Sequence, residues 1–120
     1  MGRVFVVQKQ LRMNDDERLV PKFDLSSAEI FGEVTYLLSA RAAPFTPDPV
    51  IKELAHMLAD YDGDNDYLLL VGNPCLIGWT VALAANASGG KVRLLQWSGR
   101  DGRYIPIFAQ GLAPVVAPAI

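Results

Sequence analysis

The sequence predicts a single small α/β domain: a parallel three-strand core, antiparallel hairpin arms and two main helices. Three observations carry that prediction. Residues 66–97 read as strand, turn, helix, turn, strand, the unit that builds parallel sheets. A second, amphipathic helical pattern precedes them, so two crossovers are available. The chain has 120 residues, 51% of them hydrophobic, which suffices for one core and argues against disorder over most of its length.

In chain order, residues 4–11 are apolar and β-branched, then alternating. Asn14-Asp15-Asp16-Glu17 makes a polar turn, and residues 19–23 alternate on its far side. These segments predict an N-terminal hairpin, whose second arm should stop early or lie on an edge because Pro21 has no N–H to donate. Ser26-Ser27-Ala28-Glu29 resembles a capping box, but Gly32 leaves room for about one turn. Residues 33–39 follow as a strand, with Val34, Tyr36 and Leu38 on one face.

Thr46-Pro47-Asp48-Pro49 opens the first main helix, since proline fits only its first turn; Thr46 or Asp48 would cap it. Val50, Leu54, Met57, Leu58 and Tyr61 share one face, and Lys52, His56 and Asp60 point away. Residues 67–71 form a continuous apolar run, typical of a strand buried on both sides. Asn73 should cap the second helix, with Pro74 in its first turn. Its main apolar face is expected at Leu76, Trp79, Thr80, Leu83 and Ala87, opposite Gly78, Val81, Ala82 and Ala85. Residues 74–88 carry no charge, so this helix is either covered on both sides or used to bind something. Gly89-Gly90 ends it. Residues 91–97 and 103–108 are two strands joined by a turn at 98–102, with Pro106 marking the last as an edge. The domain spans 1–110, and 111–120 is a Pro/Ala-rich tail.

The formal net charge of −2 is near balance, which argues against a dedicated nucleic-acid or membrane-surface binder and offers little repulsion against self-association. Cys75 is the only cysteine, so no intramolecular disulfide exists. No secretory leader is recognisable, and the longest apolar stretch falls short of the ~20 residues a membrane span requires. The expectation is a cytoplasmic protein.

Three constellations are candidates for function. Gly72, Asn73 and Cys75 lie at a strand-to-helix turn, where open α/β sheets bind nucleotides or other small ligands; Pro74, however, removes an amide, and no glycine-rich or P-loop pattern is present. Cys75 is either a thiolate favoured by the helix start or a buried small apolar residue, and His56, the only histidine, points to solvent. Asp60, Asp62, Asp64 and Asp66 begin a calcium-loop spacing that fails at Tyr67 and Asn73, so no metal is expected. Lys91, Arg93, Arg100 and Arg103 with Trp97 and Tyr104 form a basic, aromatic hairpin suited to a protein partner or to nucleic acid. One histidine and one cysteine leave little for acid–base chemistry, and neither an enzyme nor a cofactor is expected.

Phe5-Val6-Val7-Gln8 and residues 19–26, together with residues 67–74, Arg93-Leu94-Leu95-Gln96-Trp97 and Arg103-Tyr104-Ile105-Pro106-Ile107, resemble small uncharacterised α/β proteins encoded by tailed bacteriophages. The likeness covers residues 3–108. It implies a phage origin and a role in the host cytoplasm during infection, and brings no catalytic residues with it. The leading functional expectation is a non-catalytic accessory protein that binds a protein partner, such as a host factor, and that is able to self-associate. The alternatives are a nucleotide- or small-ligand-binding domain using 71–75, and a nucleic-acid binder using the hairpin 91–104.

Overall fold

The computed structural model describes residues 2–113. Its centre is strand β1 (Arg3–Gln8). The run Val4-Phe5-Val6-Val7 has no polar residue to turn toward water, and all four side chains are buried. Strand β1 pairs parallel with two strands: Glu33–Leu38 on one side and Tyr67–Leu69 on the other. The expected N-terminal hairpin therefore begins later than residue 4. It consists of β2 (Leu11–Met13) and β3 (Leu19–Pro21), which form a separate two-stranded ribbon ending at Pro21.

The remaining strands are β4 (Glu33–Leu38), β5 (Tyr67–Leu69), β6 (Val92–Ser98) and β7 (Arg103–Ala109), and the sheet order is β4-β1-β5-β6-β7. Strand β6 is parallel to β5, and β7 returns antiparallel beside β6. The α/β class, the two main helices and the antiparallel arms stand as expected, and β1 adds a fourth strand to the parallel run. Pro106 sits on β7, the edge strand anticipated for it. The tail expected at 111–120 is described only to residue 113, where the Leu112 amide donates to the Gly90 carbonyl at 3.1 Å; residues 114–120 lie outside the described residues.

Helices α1 (Pro47–Met57) and α2 (Pro74–Ala87) pack on one face of the sheet. There Leu54, Leu58, Leu76 and Ala84 meet Phe5, Val7, Leu68 and Val92. A short 3₁₀ segment, Ser26–Phe31, packs on the other face, where Ala28 meets Val4, Val6, Leu69, Leu95 and Tyr104. The split follows from chain direction. The step from β1 to β4 moves one way along the sheet, and the steps β4 to β5 and β5 to β6 move the other way. Right-handed crossovers then require opposite faces.

Helix α1 buries the face its spacing predicts, with His56 exposed. Helix α2 is rotated from expectation: Leu76, Thr80, Ala84 and Ala85 are buried, Trp79 and Leu83 are half-buried, and Ala87 is exposed. Without a charged residue to mark the solvent side, the apolar pattern fitted more than one rotation, and packing against β1 and β6 chose the 76-80-84 row over the expected face. Among the described residues no helix is long and apolar enough to cross a membrane.

The starts of the strands are tied by Arg3. Its amide donates to Asp66 Oδ1 at 2.9 Å, and its guanidinium reaches Asp66 Oδ2 at 2.8 Å and Asp60 Oδ2 at 3.2 Å. The Asp62 amide also donates to Asp66 Oδ2 at 2.9 Å. Next to this, Gly32 adopts φ +150°, and a Cβ there would lie 2.2 Å from the Gly2 carbonyl oxygen, so only glycine permits the approach.

The side chain of Asp66 is only 4% exposed. Burial alone would push its carboxyl up. The Arg3 hydrogen bond and the Asp62 and Arg3 amides outweigh that and hold it below the usual carboxylate range. A depressed native value means stability that is present above about pH 4 and lost as pH falls through that lower value. Asp66→Asn is expected to lower stability at pH 7 by about 2–3 kcal/mol. In urea titrations the gap to the unmodified protein should narrow on acidification below about pH 4; a gap that stays constant would show that Asp66 contributes nothing through its charge.

Candidate functional site

Ligands of open parallel sheets bind beyond the carboxyl ends of strands, where successive crossovers leave in opposite directions. Here that point lies between β1 and β5, and Gln8 fills it. The Gln8 amide donates to the Val71 carbonyl at 3.0 Å. The buried side chain donates from Nε2 to the carbonyls of Ala42 (2.8 Å) and Ser39 (3.2 Å), and Oε1 accepts from the Asn73 amide at 3.0 Å. Gly72, at φ +141°, allows this closeness, since a Cβ there would stand 2.7 Å from the Gln8 Cβ.

The expected ligand residues Gly72, Asn73 and Cys75 do share this turn. Asn73 caps α2 as predicted, its Oδ1 accepting from the Cys75 amide at 2.9 Å. The amides of Asn73 and Cys75 are thus engaged internally, and Pro74 has none. Cys75 itself is exposed, against the expectation of a buried apolar residue: it and Pro74 lie on the open side of the first turn of α2, whose buried row begins at Leu76. A hollow of about 340 Å³ remains beside the turn, lined in part by Gln8, Gln10, Phe45, Gly72 and Asn73.

The acidic stretch is tied up locally. Asp62 accepts from the Asp64 amide at 2.9 Å and from Asn65 Nδ2 at 2.6 Å, and the Asn65 contact, followed by the amide, lowers its carboxyl pKa. Asp64 pairs with Lys91 at 3.5 Å. Among the described residues no group of three or more such side chains is arranged to hold a metal ion.

The basic, aromatic hairpin is formed by β6 and β7. Trp97 and Tyr104 are cross-strand partners, with rings 5.1 Å apart in an edge-on arrangement. Arg93 lies between the rings of Phe108 (4.9 Å) and Tyr67 (5.4 Å) and donates to the Tyr67 hydroxyl at 3.2 Å. Its charge is therefore partly spent within the protein. Arg100 and Arg103 are exposed at the turn. Trp97 is 50% and Phe108 63% exposed.

A feature not anticipated lies on the 3₁₀ face. That segment covers only part of the sheet, and the linker leading into it, Phe23-Asp24, stands off from β6 and β7. Between them is a hollow of about 440 Å³, whose lining includes Phe23, Asp24, Leu69, Leu95, Trp97 and Tyr104. Asp24 Oδ1 accepts from the Ser26 amide at 3.0 Å, and Ser26, through its amide first and its side chain second, lowers the Asp24 carboxyl pKa. Burial, and secondarily the charge of Asp24, raise the Tyr104 pKa, so its phenol stays neutral. The sequence signal was the unbroken apolar run at 67–71. A strand buried on both faces implies a cover on the second face, and Phe23-Asp24 leads into a 3₁₀ segment of six residues, too short to complete that cover.

A family model described as Phage Pam3 gp32-like protein matches residues 2–110. The chain belongs to this family. The expected kinship with small phage-encoded proteins therefore holds, and the match takes in every strand, both helices and the Gln8 crossing. No curated protein and no solved structure matches the chain. In this gp32-like protein, Gln8→Ala would leave the Asn73 amide and the Ala42 carbonyl without their partner and take from the Ser39 carbonyl one of its two donors, the other being the Ala42 amide, at a cost of about 2–3 kcal/mol. Gln8→Glu should cost at least as much, since a carboxylate would face those two carbonyls. Urea denaturation measures both, and a loss under about 0.5 kcal/mol for each would remove Gln8 from its structural role.

Proposed function

We propose that this gp32-like protein is a non-catalytic accessory protein that acts by binding a protein partner in the infected cell through the β6–β7 hairpin. The observation that carries the reading is the exposure of Trp97, Ile107 and Phe108 on one ribbon at the edge of the sheet. Covering the exposed half of each ring would contribute on the order of 2 kcal/mol, enough for a hot spot.

Charge indicates the kind of partner. Arg100 and Arg103 outnumber Asp101 at the turn beside the aromatic pair, so two copies meeting ribbon to ribbon would bring net positive turns together, whereas a surface with an acidic rim around an apolar centre is complementary. Addition of a strand along β7 is disfavoured, because Pro106 leaves a gap in its amide row. The alternative of a small ligand held at 71–75 has weaker support, since the amides it would use already bind Gln8 and Asn73.

Photo-crosslinking tests the reading. A benzophenone amino acid at Phe108, in protein produced in infected bacteria, should yield one adduct of discrete mass. Arg100→Glu together with Arg103→Glu should diminish that adduct, and the same label at Lys52 on α1 should give none. Equal labelling from both positions, or none from Phe108, would overturn the proposal.

A further inference from the structure

We infer that the hollow between the Phe23-Asp24 linker and the β6–β7 strands is a binding site for a small organic cation, an apolar body carrying an ammonium group. This goes beyond docking at the outer ribbon and does not depend on it. The volume of about 440 Å³ falls within the range of small-molecule sites, ~300–1,000 Å³. The walls are the apolar side chains Leu69, Val71 and Leu95 and three aromatic rings, Phe23, Trp97 and Tyr104. Aromatic faces attract cations through their quadrupole. The rings already behave so nearby: Lys22 Nζ stands 5.4 Å from the Phe23 ring centre on the side of the neighbouring hollow.

Asp24 supplies the matching charge. It is the one charged side chain in the lining, and among the described residues no ion pair engages it. It is exposed, and the Ser26 amide on one oxygen further favours its ionised form. The Tyr104 phenol remains neutral in the same hollow, so the site presents one full negative charge among aromatic and aliphatic walls. An anion of the same shape would face Asp24, and no cationic side chain lines the hollow to offset it. A neutral molecule would gain only the apolar contact.

Three probes of matched shape separate these cases: phenethylamine, 2-phenylethanol and phenylacetate, each titrated into ¹⁵N-labelled protein. The indole N–H of Trp97 should shift and that of Trp79 on α2 should not. Phenethylamine should bind roughly three- to fivefold tighter than 2-phenylethanol, and phenylacetate should be weakest. Asp24→Asn keeps a carbonyl oxygen for the Ser26 amide and should erase the preference for the amine while leaving 2-phenylethanol affinity unchanged. Glu53→Gln on α1 should leave the preference intact. Should Asp24→Asn fail to fold, the three-probe series on the unmodified protein decides alone. Equal affinities, tightest binding of the anion, shifts at Trp79 in place of Trp97, a preference that survives Asp24→Asn, or no shift at millimolar probe would each overturn the inference.

Discussion

The structure depends on the placement of one strand. Strand β1 lies between β4 and β5, parallel to both, and is fastened at each end by a single side chain. At its start Arg3 binds the buried carboxylate of Asp66, at the threshold of β5. At its end Gln8 binds the turns that leave β4 and β5. Between these anchors four apolar residues are buried on both faces. A parallel pair cannot be closed by a tight turn, so its register needs other determinants. The two polar anchors supply them in a region where apolar packing alone would tolerate a slip.

The asymmetry of the two faces follows from the same placement. Because β1 sends its connection one way and β4 and β5 send theirs the other, the helices occupy one face and the 3₁₀ segment the opposite one. Two helices of 11 and 14 residues cover their side well. A 3₁₀ segment of six residues does not, and the uncovered part lies over β6 and β7. The position that in other parallel sheets receives a ligand is filled here by Gln8. The open space has moved to the flank of the sheet, where Trp97, Tyr104 and Asp24 meet.

Much of this was legible in the sequence. The unit 66–97, the cap at Asn73, the phase of α1, the β6–β7 hairpin and the edge position of Pro106 all rest on short-range signals, namely periodicity, capping and the missing proline N–H. What escaped depends on distant pairing. Residues 4–7 carry the same continuous apolar signature as residues 67–71, yet their nearness to the polar turn at 14–17 favoured a hairpin. The roles of Arg3 and Gln8 span more than 60 residues of sequence, beyond the reach of any local pattern. The phase of α2 was not encoded locally, since a helix without charge fits several rotations until the sheet selects one. Of the candidate site, Trp97 and Tyr104 were recognisable as members of one aromatic hairpin, whereas their cross-strand pairing, and the approach of Phe23 and Asp24, came only with the fold.

Native-state hydrogen exchange, read residue by residue with interstrand NOEs, tests the central placement most directly. A strand between two parallel neighbours should hold the most protected amides of the chain, so Val4, Phe5, Val6 and Val7 are predicted to exchange only on global unfolding, with Val6 showing contacts to both Tyr36 and Leu69. Exchange of these amides as fast as those of Leu11, Arg12 and Met13, or contacts from Val6 to Val20 in place of Leu69, would place β1 in the N-terminal ribbon and contradict the account.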